Sequence, residues 1–115
     1  MGQNIQLSAS DGYTLSAYRA APAGKPKGAL IVAMEIFGVN SHIRSVADGY
    51  AADGYLAIAP ALFERQQKGV ELGYDANGFE KGIALMMNAS PEGVLADVNA
   101  AIHSVVHAGR VGMVG

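Results

Sequence analysis

Three short stretches of this chain are apolar at every position or nearly so: "ALIVAM" from Ala29, "YLAIAPA" from Tyr55 and "VGMV" from Val111. A strand that alternates can keep one face in water, but a strand without polar positions must be covered on both faces. The usual solution is a parallel sheet sandwiched between helices. The intervening segments have the matching character. Ile43, Val46, Ala47, Tyr50 and Ala51 recur at helical spacing, with Asn40 or Ser41 as N-cap and Gly54 beyond the last turn. Ser90 as N-cap and Pro91 at the first helical position open a second helix, in which Val94, Val98, Ala101, Ile102 and Val105 form one stripe that Gly109 closes. A shorter helix that starts near Asn77 and holds Leu85, Met86 and Met87 is expected before it. Segment 61–110 is too long for a simple strand-to-helix connection, which predicts an inserted loop or lid.

The amino-terminal stretch follows a different rule. In "NIQLSASDGYTLSAYRA", Ile5 and Leu7 alternate with polar neighbours, Asp11 and Gly12 mark a turn, and Leu15 and Ala17 resume the alternation. That pattern reads as an antiparallel hairpin. The fold class is therefore α/β, with the hairpin leading into a mostly parallel sheet flanked by helices. In such sheets ligands bind beyond the carboxyl ends of the strands, so "EIFGVN", "PALFER" and whatever follows Gly115 matter most.

Composition narrows the partners. The 115 residues, half of them hydrophobic, suffice for one domain burying roughly 65% of its unfolded surface. Eight Lys and Arg against ten Asp and Glu are scattered without runs and leave a net charge of -2. No basic face invites a nucleic acid or an anionic membrane. The absence of cysteine removes disulfides and thiolate metal sites from this stretch. The first residues lack a secretory pattern, and no apolar run approaches the ~18 residues of a membrane helix, so a cytoplasmic location is expected.

Glu35 is the most informative polar position, because it follows an apolar strand directly, where a parallel sheet opens into its cleft. Two roles fit it. It can accept hydrogen bonds from a neighbouring loop or favour the N-terminus of the next helix, or it can be a partly buried carboxylate with a raised pKa that acts on a proton. The Ile36 and Phe37 amides beside Gly38 are candidate oxyanion donors. Phe37 and Phe63 are as well suited to packing as to contacting a substrate. His103 and His107 lie one turn apart near a helix end, where solvent exposure is the expected fate, and they lack a nearby third metal ligand. Neither they nor Ser41, His42, Asp48 and Asp97 compose a catalytic triad.

The string "MEIFGVNSHIRSVADGYAADGYLAIAPALF", together with "GVELGY" and the closing "GRVGMVG", resembles the dienelactone hydrolase family of the α/β-hydrolase fold, with a likeness running from about Leu7 to Gly115. The resemblance implies that the last strand runs into a nucleophile elbow of the form G-x-C-x-G. Gly115 would be its first glycine. The cysteine would then lie two positions beyond Gly115, with an aspartate and a histidine further on, so that residues 1–115 form the N-terminal portion of a single domain. Glu35 would hydrogen-bond or exchange a proton with that thiol, and the Ile36 amide would supply one oxyanion donor. The substrate would be a small ester or lactone, with no cofactor and no metal. Residues 1–115 alone would be inactive, with the last strand paired to a complementary C-terminal piece or to a second copy by strand exchange.

Two departures from the family pattern limit what carries over. Members often have "PDL" after the second buried strand where this chain has Pro60, Ala61 and Leu62, which removes a loop-fixing carboxylate. Phe79 and Ile83 stand where an arginine and a tyrosine would hold a substrate carboxylate. Arg65 and Tyr74 are candidates for lining the cleft instead, against the plainer readings of a solvated arginine and a tyrosine packed under the loop. The rival from another class is a small flavodoxin-like ligand-binding module without catalysis. The hairpin and the lack of a phosphate-cradling loop after the first buried strand speak against it.

Overall fold

The structure is a computed structural model describing residues 2–115. Strands β1 (Gln3–Ser8) and β2 (Thr14–Ala20) form the expected hairpin in antiparallel register, with Leu7 opposite Leu15. The turn closes through Gly12 N–H donating to the Ala9 carbonyl at 2.9 Å, and Asp11 Oδ1 accepts from the Tyr13 N–H at 3.3 Å. Then follow β3 (Ala29–Val32), α1 (Ser41–Ala52), β4 (Leu56–Pro60), α2 (Ala76–Met87), α3 (Pro91–Val105), a single 3-10 turn (Val106–Ala108) and β5 (Val111–Val114). Among the described residues no helix is long and apolar enough to cross a membrane.

The five strands lie in the order β1-β2-β4-β3-β5. β3 pairs in parallel with both β4 and β5, whereas β2 meets both β1 and β4 antiparallel. The sheet is therefore mixed: β3, β4 and β5 run parallel as expected, and the hairpin joins them by its second strand, antiparallel beside β4. Side-chain size separates the two faces. Leu56 and Ile58 of β4 join Leu7, Leu15 and Ile31 in the core beneath α3, where Ala101 and Val105 close the layer. Ala57 and Ala59 point the other way, toward Ala47 and Ala51 of α1. Facing alanines leave room for α1 to pack close to the sheet.

The helix boundaries follow their caps. Asn40 Oδ1 accepts from the Ile43 N–H at 3.1 Å to open α1, and the Gly54 N–H donates to Ala51 at 3.0 Å past its end. Ser90 Oγ accepts from the Gly93 N–H at 3.2 Å to open α3, with Pro91 in the first turn. Asp75 caps α2 in the same way, so that helix begins close to where the sequence places it. One expectation needs correction in part. Of the expected stripe of α3, Ala101 and Val105 are buried, but Val94, Val98 and Ile102 are only half-buried, and Gly93 and Asp97 complete the buried line. Among the described residues β5 is an edge strand of the sheet, with Met113 54% exposed.

Candidate active site

Residues 35–40 form a tight turn at the carboxyl end of β3. Gly38 N–H donates to the Glu35 carbonyl at 3.1 Å, and Asn40 N–H donates to the Gly38 carbonyl at 3.0 Å. Gly38 has a φ of 86°, and a Cβ there would overlap the Val70 carbonyl oxygen, so conformation and space both demand glycine. Segment 70–75 clamps the turn from outside. Leu72 N–H donates to the Phe37 carbonyl at 2.9 Å, and Gly38 bridges to Glu71. The Phe37 ring meets Tyr74 edge-on at 4.5 Å, while Asn40 Nδ2 donates to the Tyr74 hydroxyl at 3.0 Å. Among the described residues the Ile36 N–H donates to no protein acceptor.

β3 and β5 leave the sheet side by side, with the Ala33 N–H donating to the Val114 carbonyl at 2.8 Å. That pairing brings Gly115 next to the 35–40 turn. Glu35 and Gly115 line one open cavity of about 250 Å³, together with Val32, Ala33, Ile43 and Val114. His42 and Tyr50 also face this cavity, and the sequence reading did not place them there. Their signal was available only in part: a histidine in the first turn of α1 must sit near the strand ends, but its direction depends on how α1 packs. Glu35 itself is exposed rather than partly buried, and its carboxylate makes no hydrogen bond or ion pair with the described residues.

Arg65 does not line this cavity. Its Nε and Nη2 donate to the Asp97 carboxylate at 3.1 and 2.8 Å, its Nη1 reaches Asp11 Oδ2 at 2.6 Å, and its guanidinium lies over the Tyr13 ring at 4.6 Å. It is neither a cleft residue nor a solvated one, because Asp97 is fully buried and draws the guanidinium onto α3. Tyr74 is not packed under the loop but stands 63% exposed beside Phe37, outside the cavity lining. The corner after β4 is also fixed, despite Ala61. The buried Glu64 accepts from the Ser16 N–H at 2.8 Å and from its hydroxyl at 2.9 Å, which ties the loop to β2. His103 and His107 are exposed. Among the described residues no group of three His, Cys, Asp or Glu could hold a metal ion.

A second, larger cavity of about 430 Å³ opens between the hairpin and the start of α1, lined by Gln6, Ser16, Tyr18, Arg44 and Lys68 among others. None of the sequence-predicted site residues faces it. Its charges are already engaged in part, since Arg44 pairs with Glu71 at 3.1 Å. Of the sequence-predicted site residues, Glu35 and Gly115 meet in the cavity at the β3 and β5 ends, whereas Ile36, Phe37, Arg65 and Tyr74 are outside its lining.

The profile of the dienelactone hydrolase family matches residues 15–115. A carboxymethylenebutenolidase of Pseudomonas putida is 33% identical over 118 aligned positions, covering 98% of this chain and 50% of that protein. The crystal structure of a Klebsiella pneumoniae protein assigned as a dienelactone hydrolase superposes with a TM-score of 0.74 at 31% identity, over 98% of this chain and 49% of that one. An α/β hydrolase from Novosphingobium aromaticivorans, at 16% identity and a TM-score of 0.59, covers 99% of this chain and 35% of its own, and attests the fold alone. The chain spans about half the length of the Pseudomonas relative. A flavodoxin-like module is excluded by the hairpin strand beside β4 and by these matches. Sheet order, helix placement and sequence agree: this chain belongs to the dienelactone hydrolase family and has the N-terminal half of the α/β-hydrolase fold.

Proposed function

We propose that residues 1–115 are the N-terminal portion of a hydrolase for small carboxylic esters or lactones, and that its nucleophile is a cysteine two positions beyond Gly115. The observation that carries this reading is the shared cavity, in which the Glu35 side chain and the end of β5 face the same space. A cysteine thiol with an ordinary pKa of about 8.5 is mostly protonated at neutral pH. Glu35, whose carboxylate has no partner among the described residues, is free to receive or hold that proton. The thiolate sulfur attacks the carbonyl carbon, forming a C–S bond and an oxyanion. The Ile36 N–H, which has no acceptor among the described residues, and the amide following the cysteine stabilise that oxygen. Collapse breaks the C–O bond, the alkoxide takes a proton, and water later cleaves the thioester to release the acid and restore the thiol.

No cofactor enters this scheme. Phe37 and Tyr74 lie outside the cavity lining, and Arg65 has no part in the scheme. In residues 1–115 alone, the free edge of β5 favours pairing with the C-terminal portion of the protein or with a second copy. The test is ester hydrolysis by the full-length chain, followed by mass spectrometry of the acylated protein. The reading expects a covalent acyl adduct on that cysteine, and none when residues 1–115 are assayed alone. Turnover by residues 1–115 alone, or an adduct on another residue, contradicts it.

A further inference from the structure

Helix α2 rests on the rest of the molecule in an unusual way: its buried residues are two glycines, Gly78 and Gly82, while Phe79, Met86 and Met87 are exposed. Gly78 lies on the Gly73 carbonyl of the loop that leads into the helix. Gly82 lies on the site. A Cβ at Gly82 would overlap the Ile36 carbonyl oxygen and come within 3.1 Å of both the carbonyl carbon and the Cβ of Ile36. Gly82 sits inside a regular helix and has no positive φ, so the backbone conformation does not require glycine there. Glycine weakens a helix relative to alanine. Space, and not conformation, is what the missing side chain supplies.

We infer that Gly82 is a positioning residue for the oxyanion donor: it lets the α2 backbone lie directly on the Ile36 carbonyl and so fixes the turn that aims the Ile36 N–H. The opposite side of the turn is already held, by the Leu72 to Phe37 hydrogen bond and the Gly38 to Glu71 bridge. A turn clamped on both sides cannot absorb an added methyl without moving. The Ile36 carbonyl and the Ile36 N–H flank one Cα, so displacement of the first rotates the second. This rests on the proposed oxyanion role of Ile36.

The test uses the full-length protein and a chromogenic ester. Gly82→Ala is expected to lower kcat about tenfold or more, the scale of a sub-ångström to ångström misplacement, with KM changed less than about twofold. The Ile36 and Phe37 amide resonances should shift with it. Lys81→Ala, exposed on the same helix, is expected to leave both unchanged. Asp75→Ala removes the cap that accepts from the Gly78 N–H at 2.7 Å. It loosens α2 without adding an atom at the turn, and is expected to lower kcat in the same direction by less, which keeps the test alive if Gly82→Ala misfolds. Wild-type hydrolysis with an unchanged kcat in Gly82→Ala, or in Asp75→Ala where Gly82→Ala does not fold, overturns this inference and leaves the hydrolase reading standing. A wild type without hydrolysis overturns both, while the amide shifts still report whether Gly82 holds the turn.

Discussion

Two acidic residues show how differently one fold treats a negative charge. Asp97 is fully buried inside α3, and its carboxylate receives hydrogen bonds from Arg65 that hold the loop after β4 against the helix and the hairpin turn. Glu35 is exposed at the end of β3, faces the cavity it shares with Gly115, and has no partner among the described residues. A buried charge survives only when it is paired and hydrogen-bonded. An exposed carboxylate costs the fold little and keeps its lone pairs free for a group that arrives from elsewhere. The first charge serves stability, and the second is the one to which the proposed function gives chemistry.

The contrast breaks first at Arg65. Arg65→Met leaves Asp97 buried without its cation, and urea unfolding of the full-length protein should show a loss of about 3–5 kcal/mol. The double variant Arg65→Met/Asp97→Leu should recover much of that loss. A smaller effect is expected at Glu64, the other buried acid. Glu64→Ala strands the Ser16 N–H and hydroxyl and should cost about 1–3 kcal/mol in the same assay, since Glu64 is 8% exposed and holds both groups.

Asp11, the exposed arm of the Arg65 cluster, sharpens the comparison through pH. The hydrogen bond from Arg65, and after it the Tyr13 N–H, lower its pKa to about 2 from the ordinary value near 3.8. A depressed folded-state pKa means the stabilisation is complete above the unfolded value and disappears as pH falls through the folded one. The stability difference between wild type and Asp11→Asn should therefore be constant above pH 4 and shrink toward zero near pH 2, as followed by denaturant titration at each pH. The smallest stability change belongs to Glu35. Glu35→Gln should shift unfolding by less than about 0.5 kcal/mol, yet lower ester turnover by about a hundredfold in the full-length enzyme.

Much of this architecture was legible because it is local. The Asp11 and Gly12 turn, the Asn40 cap of α1 and the Ser90 and Pro91 start of α3 each depend on residues within a few positions of one another. The placement of Glu35 was readable for a related reason: an acid directly after an apolar strand can only emerge at the strand's carboxyl end. What could not be read depends on distant partners. Arg65 meets Asp97 and Asp11 across 32 and 54 residues of sequence. By residue type alone all three belong in water. In the first half of α3 the buried positions are Gly93 and Asp97, one residue before the apolar Val94 and Val98, while Ala101 and Val105 keep to the stripe. Glu64 fixes the loop after β4 by reaching back to Ser16, again a pairing that no local pattern announces.

The proposed coupling between Glu35 and a thiol past Gly115 is tested most directly by the pH dependence of alkylation of the full-length protein with iodoacetamide, wild type against Glu35→Gln. A single modified cysteine two residues beyond Gly115, with a rate profile displaced along the pH axis by the substitution, is the predicted result. Superimposable profiles, or no reactive cysteine at that position, would contradict the account.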